Sequence, residues 1–199
     1  YSVDSVAAGG TATGAFANKN AGTALAVTVT GVTVTGTGSG NYTATQQTGL
    51  TTNITKRPIT VSAATNSKTY DGTTSAASIP TITSGTLASG DTANFTEVYS
   101  TKDVGLGNKT LVPSGTVSDG NSGNNYAYTF VNVTNGTITA RALTVTSTNQ
   151  TKVYGQTVTF GSGSTLFTSS GLQNSETIGS VTLAVSGNGG AATATVSGS

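Results

Sequence analysis

The chain of 199 residues contains no cysteine, methionine, tryptophan or histidine, has 3 prolines, and is only 8% charged. Without cysteine there is no disulfide framework, thiolate nucleophile, zinc cluster or iron–sulfur site, and without histidine no imidazole base that titrates near neutrality. Eight Lys and Arg face seven acids for a net charge of +1. They are spread along the chain and form no basic stripe that could displace phosphate counterions, which excludes nucleic acid as a partner. No run approaches the roughly 20 apolar residues of a membrane helix, and no signal peptide is read, so no membrane insertion is expected of this segment. The low charge also argues against a chain held open by self-repulsion, although composition alone leaves open a disordered Ser/Thr/Gly-rich chain.

What is abundant points to β-structure. Counting the 27 glycines and leaving out tyrosine brings the apolar share to roughly 44%, near the globular norm of about 45–50%. Alternation with period two recurs in Ala24-Leu25-Ala26-Val27-Thr28-Val29-Thr30, Val32-Thr33-Val34-Thr35, Ile59-Thr60-Val61-Ser62, Tyr126-Ala127-Tyr128-Thr129-Phe130-Val131, Leu143-Thr144-Val145-Thr146 and Val181-Thr182-Leu183-Ala184-Val185. Such alternation builds strands with one apolar face, and threonine suits the wet face because its branched Cβ favours extended backbone. Gly/Asn/Asp/Ser clusters such as Asp119-Gly120-Asn121-Ser122-Gly123-Asn124 separate the runs and enter left-handed turns at little cost. No segment has helical spacing, so an all-β chain of short antiparallel strands is expected.

Self-comparison reveals a repeat. Asn41-Tyr42 returns as Asn125-Tyr126, Ile54-Thr55 as Ile138-Thr139, Ile59-Thr60-Val61 as Leu143-Thr144-Val145, and Lys68-Thr69-Tyr70 as Lys152-Val153-Tyr154, each about 84 residues on. Lys19-Asn20-Ala21-Gly22 returns as Lys102-Asp103-Val104-Gly105, one position short of that spacing. The period is too long for one rung of a solenoid and fits a self-contained sandwich of about seven strands. The expected organisation is the C-terminal part of one module at residues 1–55, a complete module at 56–139 and the N-terminal part of a third at 140–199. The chain would then be part of a longer repetitive protein.

Lys68-Thr69-Tyr70-Asp71-Gly72-Thr73-Thr74, after Ile54-Thr55-Lys56-Arg57-Pro58-Ile59-Thr60-Val61, resembles the signature of the YDG repeat domain of large bacterial surface proteins. Ala142-Leu143-Thr144-Val145 followed by Lys152-Val153-Tyr154-Gly155-Gln156-Thr157 is similar to the related MBG, or mostly-β glycine-rich, domain. The resemblance implies tandem immunoglobulin-like antiparallel β-sandwich modules, beads on a string, in secreted or surface-exposed adhesins of the filamentous-haemagglutinin type. It implies no catalytic residue and no cofactor. The motif residues Lys68, Tyr70, Asp71, Gly72, Lys152, Tyr154 and Gly155 are expected to be structural, with Asp71-Gly72 as a turn pair and Tyr70 as an apolar surface with a hydroxyl handle.

The chemistry-bearing residues carry no enzyme signature. Asp4, Asp71, Asp91, Glu97, Asp103, Asp119 and Glu176 show no spacing that suggests a catalytic carboxylate pair. The Asp119 segment lacks the alternate acids and closing glutamate of a calcium loop and reads as a polar turn. The repeated Lys19, Lys102, Lys68 and Lys152 raise a covalent lysine cross-link, but solvated or snorkelling lysine is the default. Asn-x-Thr sites at Asn41, Asn53, Asn94, Asn108, Asn132, Asn135 and Asn149 follow from composition.

The expectation is therefore a structural repeat segment, a stalk or filament extending a distal adhesive region from a bacterial cell, extracellular and partnered mainly by its neighbouring modules. Two rivals stand beside it. One is a module that binds host glycans or matrix through Tyr42, Tyr70, Tyr99, Tyr126 and Tyr128, although strand tyrosines more often fill a core. The other is a fibre subunit that self-associates through uncovered strand edges.

Overall fold

The structure, a computed structural model, describes residues 3–184. Among these the chain forms strands β1 (Ser5–Gly9), β2 (Thr13–Phe16), β3 (Gly22–Thr30), β4 (Thr33–Thr37), β5 (Thr51–Ile54), β6 (Arg57–Ser62) and β7 (Ser67–Thr69). They continue with β8 (Thr81–Ser84), β9 (Thr92–Tyr99), β10 (Gly105–Ser118), β11 (Tyr126–Val131), β12 (Val133–Thr139), β13 (Thr144–Ser147) and β14 (Phe167–Ser170). The helical content of the described residues is one 3-10 turn at Ser39–Asn41, and no helix there is long and apolar enough to cross a membrane. The chain is all-β. The alternating run Tyr126–Val131 is a strand over its whole length, and the runs in β3, β4, β6 and β13 are strands within a few residues of their expected bounds. Of Val181-Thr182-Leu183-Ala184-Val185, Val181 pairs in an isolated bridge to Ser164 and the Leu183 N–H bonds the Gly161 carbonyl at 3.1 Å, while Val185 lies outside the described residues.

Two compact units emerge. Among the described residues the first comprises 3–64, Ser78–Glu97 and Val112–Asn132; the second comprises Thr65–Ala77, Val98–Leu111 and 133–184. In the first, β1 pairs with β4, β3 lies between β2 and β5, and β6 lies between β11 and β8. Its core is Ile59, Val61, Phe95, Val117 and Tyr126, with Ile82, Leu87 and Tyr128 packed against it. Alternation explains this membership, because Ile59 and Val61 are two apart on one face of β6, as are Tyr126 and Tyr128 on β11. Each such side chain, once buried, contributes about 1.5–3 kcal/mol. Phe95 meets Tyr128 edge-on at 6.3 Å, and Tyr128 stacks on Phe130 at 5.8 Å. In the second unit β12 is flanked by β7 and β10, and β13 pairs with β14. Tyr99, Leu111 and Ile138 are its buried apolar side chains. At Gly136 the backbone comes so close that a Cβ would lie 3.0 Å from the Tyr99 ring and 3.2 Å from Leu111.

Not every pairing is antiparallel, as the sequence leads one to expect. β6 runs parallel to β11, with Ile59 beside Tyr128 and Val61 beside Phe130, and β7 runs parallel to β12. Parallel pairing needs a long crossover, and here the intervening strands supply it. Local alternation carries no information about the direction of a partner.

The repeat seen in the sequence is a repeat of backbone geometry. Gly22 pairs with Ile54 and Gly105 pairs with Ile138, each glycine opening a strand. Gly31 (φ 88) sits where a Cβ would lie 2.2 Å from the Thr11 carbonyl oxygen; at Gly115 (φ 122) it would lie 2.1 Å from that of Asn94. Gly85 and Gly171 repeat a second such contact, at 2.4 Å from the Pro58 oxygen and 2.3 Å from the Ala142 oxygen. Corresponding residues thus make corresponding contacts within about two residues of the sequence period.

Candidate functional site

The Tyr-Asp-Gly turn follows β7. Asp71 Oδ1 accepts the Thr73 backbone N–H at 2.9 Å and the Thr73 hydroxyl at 2.8 Å, the local bonding that makes Asp a turn residue. Gly72, at φ 75, carries the chain through the left-handed region. Lys68 closes the turn from β7. Its Nζ donates to Asp71 Oδ1 at 2.8 Å, to the Thr73 carbonyl at 2.8 Å and to the Thr73 hydroxyl at 3.1 Å, and it lies 5.4 Å from the Tyr99 ring centroid. The Lys68 side chain is 15% exposed, and in place of the solvated or snorkelling lysine expected from sequence it is held by three acceptors and an aromatic face.

These contacts set the electrostatics. The Lys68 ammonium, then the Thr73 N–H and hydroxyl, hold the Asp71 carboxyl at about 2, below its ordinary 3.8, against a smaller opposing effect of burial. Amide formation between such groups requires a neutral acid, and this arrangement favours the charged carboxylate of Asp71. The stabilisation from the depressed carboxyl is fully present above about pH 4 and is lost as the pH falls through about 2. Asp71→Asn keeps an acceptor for the Thr73 N–H but removes the charge. It is expected to flatten the fall in melting temperature between pH 4 and 2 measured by circular dichroism; a profile parallel to that of the unaltered protein would refute this assignment.

Tyr70 points to another group. Its hydroxyl bonds Glu176, the Lys102 Nζ donates to that hydroxyl at 3.0 Å, and Lys102 also pairs with Glu176 at 3.2 Å. The Tyr70 hydroxyl first, and Lys102 second, hold the Glu176 carboxyl below its usual value; Tyr70 and then Glu176 raise the Lys102 amine. Asn174 donates to the Gly72 carbonyl at 2.6 Å, so both ends of the Tyr-Asp-Gly turn meet the loop around Asn174 and Glu176. The Lys152-Val153-Tyr154-Gly155 segment is arranged differently. Gln156 N–H bonds the Val153 carbonyl at 3.0 Å around Gly155 (φ 82), Lys152 is half-buried, and Tyr154 is 89% exposed.

A second cluster lies in the first unit. Lys19, Ala21, Ile54, Thr55, Arg57, Ala88, Asp91, Asn125 and Tyr126 line a cleft of about 230 Å³. Asn125 Oδ1 accepts the Ala21 N–H at 2.8 Å, and Lys19 lies 3.7 Å from Asp91. Asp91 also accepts the Tyr126 hydroxyl at 2.6 Å, and that hydroxyl accepts the Ala88 N–H at 2.8 Å. Burial, with Asp91 adding to it, pushes the Tyr126 hydroxyl up.

The Asp119 loop is a structural turn. Its Oδ1 accepts N–H groups from Asn121 at 2.7 Å and Gly123 at 2.8 Å, and its Oδ2 accepts that of Asn125 at 3.0 Å. Burial raises the carboxyl, but these donors outweigh it and the net displacement is downward.

Among known protein families, that of the YDG domain matches residues 1–49 and 55–135. The chain belongs to the YDG domain family. No curated protein and no solved structure matches it. Within this YDG chain the structure gathers Lys68, Asp71 and Gly72 into one turn, turns Tyr70 towards Glu176, and leaves Lys152, Tyr154 and Gly155 in a turn of their own. Of the five tyrosines weighed for ligand binding, Tyr99 and Tyr126 are core residues, Tyr128 packs on the core, Tyr70 is half-buried, and Tyr42 is 44% exposed. Tyr42 is thus corrected from a core to a surface position. Sequence reasoning missed Thr73, Asn174 and the pairing of Lys19 and Lys102 with acids. A signal for the last was present: Leu87-Ala88-Ser89-Gly90-Asp91 aligns with Leu172-Gln173-Asn174-Ser175-Glu176 at nearly the repeat spacing.

Proposed function

We propose that this YDG chain is a spacer: a run of tandem immunoglobulin-like sandwich modules, divided near residues 55 and 139 with an MBG-like module last, that extends the adhesive region of a bacterial surface or secreted protein. The observation that carries this reading is the recurrence of the same glycine contacts, Gly31 with Gly115 and Gly85 with Gly171, along one chain. A spacer needs many copies of one self-supporting unit joined in the same way, and needs no reactive group. The groups with the greatest chemical potential, Lys68, Asp71 and Asp119, bond one another or the backbone.

The rival reading, a glycan- or matrix-binding module, draws on the exposed rings of Tyr42 and Tyr154. One experiment separates the two. Arrays of increasing numbers of complete modules, monomeric by sedimentation, are measured for length by small-angle scattering and for binding to a panel of glycans, matrix proteins and host cells. The spacer reading expects length proportional to module number and no saturable binding. Saturable binding that disappears in Tyr42→Ala or Tyr154→Ala would replace it with recognition.

A further inference from the structure

We propose that consecutive modules are joined by a recurring clamp, in which a lysine of one module grips an acidic turn of the next: Lys19 with Asp91, and Lys102 with Glu176. The inference rests on the modular reading above and specifies the partner of that surface, namely the following module of the same chain. Each pair lies within one compact unit, Lys19 and Asp91 in the first, Lys102 and Glu176 in the second.

The two sides of the clamp recur independently. On the lysine side, Lys19 and Lys102 each stand three residues before the glycine that opens a long strand, Gly22 or Gly105, and those glycines pair with Ile54 and Ile138 in the same register. The register of the strand pair therefore positions the lysine. On the acidic side, the Asp91 N–H bonds the Ala88 carbonyl at 3.1 Å and the Glu176 N–H bonds the Gln173 carbonyl at 2.8 Å, which is the same turn at equivalent positions. The residue before the acid is left-handed in both, Gly90 at φ 87 and Ser175 at φ 60. A leucine begins both segments, and Leu87 packs against the core, which ties that acidic turn to its own module.

Each clamp is completed by an amide. Asn125, in the same module as Asp91, takes the Ala21 N–H two residues after Lys19, and Asn174, two residues before Glu176, donates to the Gly72 carbonyl of the module that carries Lys102. A charge pair alone would leave rotation free, whereas a charge pair with a directional hydrogen bond at a second point fixes an orientation. Both lysines are substantially exposed, 71% for Lys19 and 47% for Lys102. Exposed ion pairs add little to stability, so cutting the clamp is expected to change the angle between modules and not the melting of either.

The absence of cysteine makes the test direct. Thr134→Cys on β12 and Thr168→Cys on β14 give two exposed labelling sites on the full chain, one on each side of the second clamp. Double electron–electron resonance between spin labels at these sites is expected to give one narrow distance distribution. Lys102→Gln or Glu176→Gln should broaden it about twofold while the melting temperature moves by less than about 2 °C, and the exchanged pair Lys102→Glu with Glu176→Lys should narrow it again. Raising the salt of the unaltered chain from about 0.1 M to 1 M, which shortens screening from about 10 Å to 3 Å, should broaden it without any substitution. Unchanged widths in both single variants and at high salt would overturn the clamp, as would broadening that the exchange fails to reverse. A broad distribution in the unaltered, folded chain would overturn it too. None of these results bears on the spacer reading, which fails only through saturable binding or a length that does not grow with module number.

Discussion

Gly115→Val is expected to destabilise the first compact unit by about 3 kcal/mol or more, among the largest effects of any single substitution in this chain. At φ 122 the residue occupies backbone space that L-side chains rarely adopt, and its Cβ would lie 2.1 Å from the Asn94 carbonyl oxygen and 2.9 Å from the Phe95 Cα. Both obstacles are backbone, so no rotamer change relieves them. Phe95 belongs to the core, and any retreat of its strand would open the packing around Val117 and Tyr126. Gly31→Val should be destabilising for the same reason, because its Cβ would meet the Thr11 oxygen at 2.2 Å. The control is Gly107→Ala. Gly107 has φ 66 with nothing within 4 Å of a Cβ, so only the left-handed strain of about 1–2 kcal/mol remains. Urea denaturation of the three variants checks the order; equal effects at Gly115 and Gly107 would mean that the close approach of the backbone contributes nothing.

Ile138→Ala should cost about 3–4 kcal/mol, because the side chain is 0% exposed and its removal leaves a cavity as well as losing transfer energy. Its repeat counterpart Ile54 occupies the same register position opposite a strand-opening glycine, but it is only half-buried and lines the cleft beside Lys19. Ile54→Ala should therefore cost roughly half as much. Denaturant midpoints of the two variants give the comparison. Equal losses would show that register, and not burial, sets the energy at this position.

How far the chain could be read in advance depends on the range of the interaction concerned. Tyr126–Val131 is legible because its alternation is complete within six residues and its aromatic rings demand burial on one face. β10 is not: Gly107, Pro113 and Gly115 punctuate it as though it were several loops, yet it is a single strand of 14 residues. Register shifts around Lys109 absorb the irregularity, and such bulges are visible only against the partner strand β12. The Val181 run errs in the opposite direction, since alternation is present but its described residues form no strand, only a bridge from Val181 to Ser164 and a hydrogen bond from the Leu183 N–H to the Gly161 carbonyl.

The turn chemistry shows the same division. Asp71-Gly72 and the Asp119 cluster are readable as turns because Asp bonds the backbone two residues on, as both do. That Lys68 closes the first of these turns under the Tyr99 ring is not readable, because Tyr99 is distant in sequence and arrives through the sheet.

By itself the sequence determined the β class, the positions of the tight turns and the period of about 84 residues, since each rests on residue type, short-range alternation or self-comparison. Only the tertiary structure decided that β6 and β7 run parallel to their partners, which tyrosines lie inside, and that Lys19 and Lys102 each meet an acid more than 70 residues ahead. The physical reason is one of reach. A strand's periodicity is written along its own backbone, whereas its neighbour, its direction and the charges brought to its end depend on how far-separated segments close on a shared core.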